Sequence, residues 1–317
     1  MKTMHVAITE VEETIRALVN APRKRNALMA EPARWNTLCN CLDLIGDTDL
    51  ALRAYRPTSD SVDDGEQYLI ISGTLQTLFV QQEAVERLAE ALDLSYQTAP
   101  ALKEIRNIRT DVSAQPLRGD LSTDHLFDGV ARLPMRKSGG RLVNSGAPRT
   151  PASFRNVDVP RLIEIQQNYV YQALSSFAAE LEKEHKDHII EFRGRRVQDT
   201  FPDSLSYYLS KMYESAAGKS HPELGKANLN MVEQVLQTFK DALSERGLLG
   251  AYAEISVPLE LLAYPLAELR TYFKHAAASR LNKQDAYIFI SFVEAQLAEL
   301  RAVAEEIDTD YQDSSTQ

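Results

Sequence analysis

Cysteine is nearly absent from this chain: the two that occur are Cys39 and Cys41. Two residues apart, they are badly placed for a disulfide and too few for a zinc site. On a helix they point to different sides, and a reducing cytoplasm is the expected setting. Long apolar runs are missing too. No stretch approaches the roughly 20 residues that a membrane-crossing helix needs. The opening segment, Met1 to Glu10, lacks the apolar centre of a signal peptide and turns acidic early. Basic charge is in deficit, with 35 Lys and Arg against 45 Asp and Glu, a net charge of −10. That balance excludes a broad cationic surface for non-specific nucleic-acid binding but leaves room for a local basic cleft. No phosphate-cradling glycine loop, nucleophile elbow or dinucleotide fingerprint occurs, nor any repeat of fixed period.

What is present is helical patterning over 317 residues, enough for one large domain or two ordinary ones. Three-four spacing predicts helices over 4–20, 32–54, 66–94 and 102–114. The clearest runs through Ile71, Leu75, Leu78, Val85 and Leu92, with Gln82 and Ala89 filling the same stripe. Pro22 and Arg23-Lys24-Arg25 read as a connector. Between 120 and 160 glycine, proline and serine rise and helical spacing stops. Phe127–Arg136 and Arg141–Val143 are compatible with a β-hairpin, with a loop from Asn144 to Pro160. Helical spacing resumes over 159–192, in a shorter piece around Tyr207, Tyr208 and Tyr213, and over 228–244, 258–277 and 284–307. The expected architecture is therefore mostly α: a helical bundle over 1–118, a small β-hairpin connector over 119–160 and a second helical region over 161–317.

The most informative segment is Leu102 to Pro116. Leu102, Ile105, Arg109 and Val112 are spaced three, four and three apart, which puts a guanidinium on the apolar side of a helix that Pro116 ends. A charge there needs a partner. Arg109 is then either a structural ion-pair residue, with Asp43, Asp47 or Glu83 as candidate partners, or part of a site that handles phosphate.

Tyr68-Leu-Ile-Ile-Ser-Gly73, running into Gln81-Gln82-Glu83-Ala84-Val85, and Ile105-Arg-Asn-Ile-Arg-Thr-Asp-Val-Ser-Ala-Gln-Pro116 together resemble the HEPN superfamily, over about residues 30–120. These are all-helical bundles, many of them metal-independent ribonucleases of toxin, defence and RNA-processing systems. The resemblance implies a homodimer with Arg109 of each chain facing a shared cleft, no cofactor and no metal. It also implies a site of Arg109, Gln115 and His125, with Arg106 and Arg118 as RNA contacts. The family motif places a histidine four to six residues after the arginine, and here Gln115 stands in its place. Glutamine has no titratable proton near neutral pH, so it cannot act as general acid or base, although it can hydrogen-bond a phosphate or base. The expected function is accordingly a degenerate HEPN site that contacts RNA or a nucleotide, or serves assembly, in a defence or toxin-like system. The alternatives are a metal-independent endoribonuclease, with His125 supplying proton transfer, and a structural bundle that binds a protein partner.

Other pairs are weaker. Arg270 and His275 satisfy the literal spacing but diverge by about 140° on a helix, at ~100° per residue. Glu182 to His188 holds two histidines one turn apart, yet its density of charge reads as a solvated helix face rather than a metal site. Arg193, Arg195 and Arg196 read as complements to a helix dipole, with RNA phosphates as the other option.

Overall fold

The computed structural model describes residues 2–56, 63–112, 127–130, 139–145, 153–275 and 279–313. Among them the chain is a mostly α-helical bundle protein, as the three-four spacing requires. It forms two compact units, residues 1–19 with 31–182 and residues 20–30 with 183–317.

The first unit begins with α1 (Lys2–Asn20), whose Ile8, Ile15 and Val19 are buried. After α2 (Pro22–Met29), which belongs to the second unit, come α3 (Pro32–Ala54), α4 (Asp64–Leu92) and α5 (Pro100–Val112). Proline occupies the first turn of α2 and α3, where its missing N–H leaves nothing unpaired. Asp63 caps α4 by accepting from the N–H groups of Gly65 and Glu66. Three strands follow, β1 (Phe127–Val130), β2 (Gly139–Ser145) and β3 (Ser153–Asp158). They form an antiparallel meander in the order β1-β2-β3, with Phe127 opposite Ser145 and Gly139 opposite Asp158. β3 runs directly into α6 (Val159–Phe192), where the Asp158 carboxylate accepts from the Arg161 N–H at 3.2 Å. Val157 and Val159 carry the chain into a core shared with Leu75, Leu78, Leu102, Ile105, Ile108 and Ile163. Each such side chain contributes roughly 1.5–3 kcal/mol by leaving water.

The second unit holds α2, the end of α6, α7 (Leu205–Ala216), α8 (Pro222–Glu245), α9 (Ala253–Lys274) and α10 (Lys283–Asp313). Its core gathers Leu209, Met212, Phe239, Leu262, Phe273 and Ile290, among others. A 3-10 turn, Gln198–Thr200, is held by Asp308 of α10, which accepts from the Val197 and Gln198 N–H groups at 2.7 and 2.9 Å.

Four expectations need correction. The stretch after Pro22 is a helix, because proline at its first turn starts a helix as readily as it breaks one. The loop expected over 144–160 contains β3, and β2 supplies the pairing partner that local pattern cannot reveal. α9 starts at Ala253, so Pro258 and Pro265 sit inside it, and both pack on its buried face. The compact units also divide elsewhere than at 118 and 160. The first half of α6 closes the α4–α5 core, while Asn26 of α2 donates to the Gly247 and Leu249 carbonyls at 3.1 and 3.2 Å.

Candidate functional site

Helix α5 places three side chains against α4: Leu102, Ile105 and Ile108, each at most 3% exposed. Ile108, not Arg109, continues the buried face. Arg109 sits at its edge, half-buried, and its neighbour one turn back, Arg106, lies on the same side of the helix. Both guanidiniums lie near the Phe79 ring of α4, at 5.6 and 4.4 Å, but only Arg106 meets carboxylates there, and that difference defines the site.

Arg106 is neutralised. Its Nε donates to the Gln82 Oε1 at 2.6 Å, and Nη1 lies 3.0 Å from the Glu83 Oε1. Nη2 lies 2.9 Å from the Glu86 Oε2, an ion contact whose angle is too poor for a hydrogen bond. Burial pushes the Glu86 carboxyl up, but the Thr98 hydroxyl and Arg106 outweigh it and hold the group below its ordinary value. Behind Gln82 runs a buried amide chain. Gln82 Nε2 donates to Gln166 Oε1 at 2.7 Å, and Gln166 Nε2 donates to the Leu78 carbonyl at 3.0 Å and to Gln81 Oε1 at 3.2 Å. These amides link to one another inside an otherwise apolar contact between α4 and α6, leaving the buried Gln81 Nε2 without a partner among the described residues. Arg106, expected among the RNA contacts, therefore has its donors turned inward.

Arg109 is held differently. Its Nε and Nη2 both donate to one acceptor, the Gln76 Oε1, at 3.1 and 2.9 Å. Its Cζ lies 4.4 Å from the centre of the Phe79 ring, within range of a cation–π contact. Among the described residues no carboxylate pairs with it. The three acids considered as partners are engaged or placed elsewhere. Asp43 meets Arg16 at 2.8 Å, Glu83 meets Arg106, and Asp47 lines a cleft of about 400 Å³ between α1 and α3. The result is a planar cation, oriented by an amide and an aromatic face, with its charge unbalanced.

Gln115, Arg118 and His125 lie outside the described residues. Arg270 pairs with Glu233 across to α8, as suits an exposed helix residue. Arg195 pairs with Glu245 at 3.2 Å and Arg196 with Asp199 at 2.6 Å. In the charge-rich stretch before Phe192, Glu182, Lys183, Glu184, Lys186 and Asp187 are exposed, as a solvated face requires, and the two histidines are half-buried. His188 Nε2 lies 2.8 Å from the Tyr311 hydroxyl, and its ring sits 4.8 Å from that of Phe192. Burial, with Arg23, His185 and Arg246 nearby, pushes His188 down to about 4 against the weaker pull of Glu184. Tyr311 is pushed up to about 12, chiefly by burial.

The α1–α3 cleft was not legible beforehand. Glu12 and Asp43 share Arg16, and Asp49, almost fully buried, lies 3.3 Å from Arg53. The only advance signal was the density of acids in 43–49. The glutamine chain did leave a trace: Gln82 falls within an apolar stripe.

No family model, curated protein or solved structure matches the chain. The geometry on α4 and α5 is therefore what a functional reading must stand on.

Proposed function

We propose that this is a HEPN-like helical protein whose α4–α5 surface binds single-stranded RNA or a nucleotide through the Arg109 guanidinium, without cleaving it. One observation carries the reading: of two arginines a turn apart, both near the Phe79 ring, Arg106 is neutralised by Glu83 and Glu86, whereas among the described residues Arg109 meets an amide and no carboxylate. A phosphate is a natural partner for such a group, because guanidinium matches it in geometry and supplies the missing counter-charge. Gln76 and Phe79 limit the rotamers of Arg109, so little further ordering is needed on binding. Binding rather than catalysis follows from Gln115, which cannot move a proton at neutral pH. A homodimer that faces two such guanidiniums across a cleft, and a setting in defence or toxin-like systems, belong to the same reading by analogy with the family.

Anisotropy titration with a labelled single-stranded RNA tests it. Arg109→Ala should weaken binding about ten-fold or more, the loss expected for one charge-assisted contact. Unchanged affinity would remove the site from the reading. Incubation of the same protein with RNA in EDTA separates the remaining options. Cleavage that Arg109→Ala abolishes would favour a metal-independent endoribonuclease. Cleavage gained on Gln115→His would mark a binding site descended from a nuclease.

A further inference from the structure

Helix α9 carries an apolar stripe that the second unit leaves uncovered. Val257, Leu261 and Tyr264 are 52%, 50% and 62% exposed, and their spacing of four and three aligns them. The stripe continues onto α10: the Tyr264 ring meets Phe289 edge-on, with centres 5.9 Å apart, and Ile288 beside it is 62% exposed. A cluster of exposed aromatic and branched side chains on two neighbouring helices is what a protein-binding groove looks like before it is filled.

Charge identifies the occupant. On α9 the stripe reads Glu254, Val257, Leu261, Tyr264, Glu268, so a carboxylate stands at each end, with Glu260 on its flank. Arg270 and Lys274 fall on other sides of the helix, and Arg270 is already paired with Glu233. The face thus offers an apolar strip about 10 Å long from Val257 to Tyr264, with about 21 Å between the two flanking carboxylate positions, at 1.5 Å per residue. It has negative charge at both ends and, among the described residues of α9, no cation along it.

We infer that the α9–α10 face docks an amphipathic helix of another protein, with leucine-like side chains along one side and lysine or arginine at both ends of that side. Basic side chains at those ends meet Glu254 and Glu268. A second copy of this chain is the poorer occupant, because it would bring the same carboxylates face to face. This inference is independent of the Arg109 site, which lies in the other compact unit.

The probe is a fluorescein-labelled helical peptide of about 18 residues, long enough to span the strip. It carries leucines at three-four spacing and lysines at both ends, and a twin carries glutamates in place of the lysines. With the full chain, the lysine peptide should bind at least about ten-fold more tightly than its twin. Leu261→Asp should abolish binding without moving the melting temperature, since Leu261 is exposed. The double substitution Glu254→Lys and Glu268→Lys should reverse the preference between the two peptides. Binding that none of these substitutions alters would overturn the assignment. So would sedimentation of the wild-type chain as a dimer that Leu261→Asp dissociates, which would give the face to a second copy.

Discussion

Arg106 and Arg109 separate what an arginine contributes to a fold from what it leaves for a ligand. Arg106 ties Gln82, Glu83 and Glu86 of α4 to α5, and its loss leaves two carboxylates facing each other beside a buried amide. Arg106→Ala should lower stability by about 1–3 kcal/mol in urea titration. Arg109→Ala removes a ring contact and an exposed amide bond, and should cost less than about 1 kcal/mol while removing RNA affinity. The opposite ranking in stability would mean that Arg109 is the structural residue. His188 makes a second prediction. Its folded value, about 4, lies below the ordinary 6.5, so the unfolded chain takes up a proton first as pH falls. Stability from this group is complete above about 6.5 and is lost between there and about 4. Solvent screening around the half-exposed ring reduces the effect to roughly 1–2 kcal/mol. Melting temperatures measured from pH 7.5 to 4.5 should fall less steeply for His188→Gln than for the wild type.

At the scale of elements, close approach decides more than propensity. Gly225 on α8 stands where a β-carbon would meet the Phe273 ring at 2.6 Å and the Ser215 β-carbon at 2.8 Å. Alanine is the better helix former by about 1 kcal/mol, yet Phe273 is fully buried and cannot move aside cheaply. Gly225→Ala should therefore destabilise the protein by about 1–3 kcal/mol, the cost of overpacking. An increase in stability in chemical denaturation would show that α8 and α9 can part to admit the methyl group. In α9 the balance runs the other way. Pro258 and Pro265 each forgo a helical hydrogen bond but bury their rings in the core, and the helix continues through both.

For the whole molecule, the net charge of −10 sets the terms on which RNA can bind. Long-range repulsion leaves only a local contact to supply affinity. With Arg109 as the one guanidinium of the α4–α5 site that meets no carboxylate among the described residues, the logarithm of affinity should fall with the logarithm of salt at a slope of about −1 or shallower. A slope of about −4 or steeper, measured by the same anisotropy titration, would require an extended cationic surface and exclude a single-guanidinium site. Among the described residues no helix is long and apolar enough to cross a membrane.

The amino-acid order alone placed α3 and α6 close to their observed ends, because apolar spacing is local and repeats every turn. It also placed Arg109 on α5 and made Gln82 an oddity within an apolar stripe. Only the tertiary structure decided which arginine is neutralised. Gln82 is 24 residues from Arg106 in sequence, and nothing near either one names the other. The same holds for His188 and Tyr311, 123 residues apart, whose contact half-buries one ring of an otherwise solvated run. α2 joined the second unit, and β3 left the expected loop, for the same physical reason: their partners are distant in the chain, and pairing energy is absent from any local pattern.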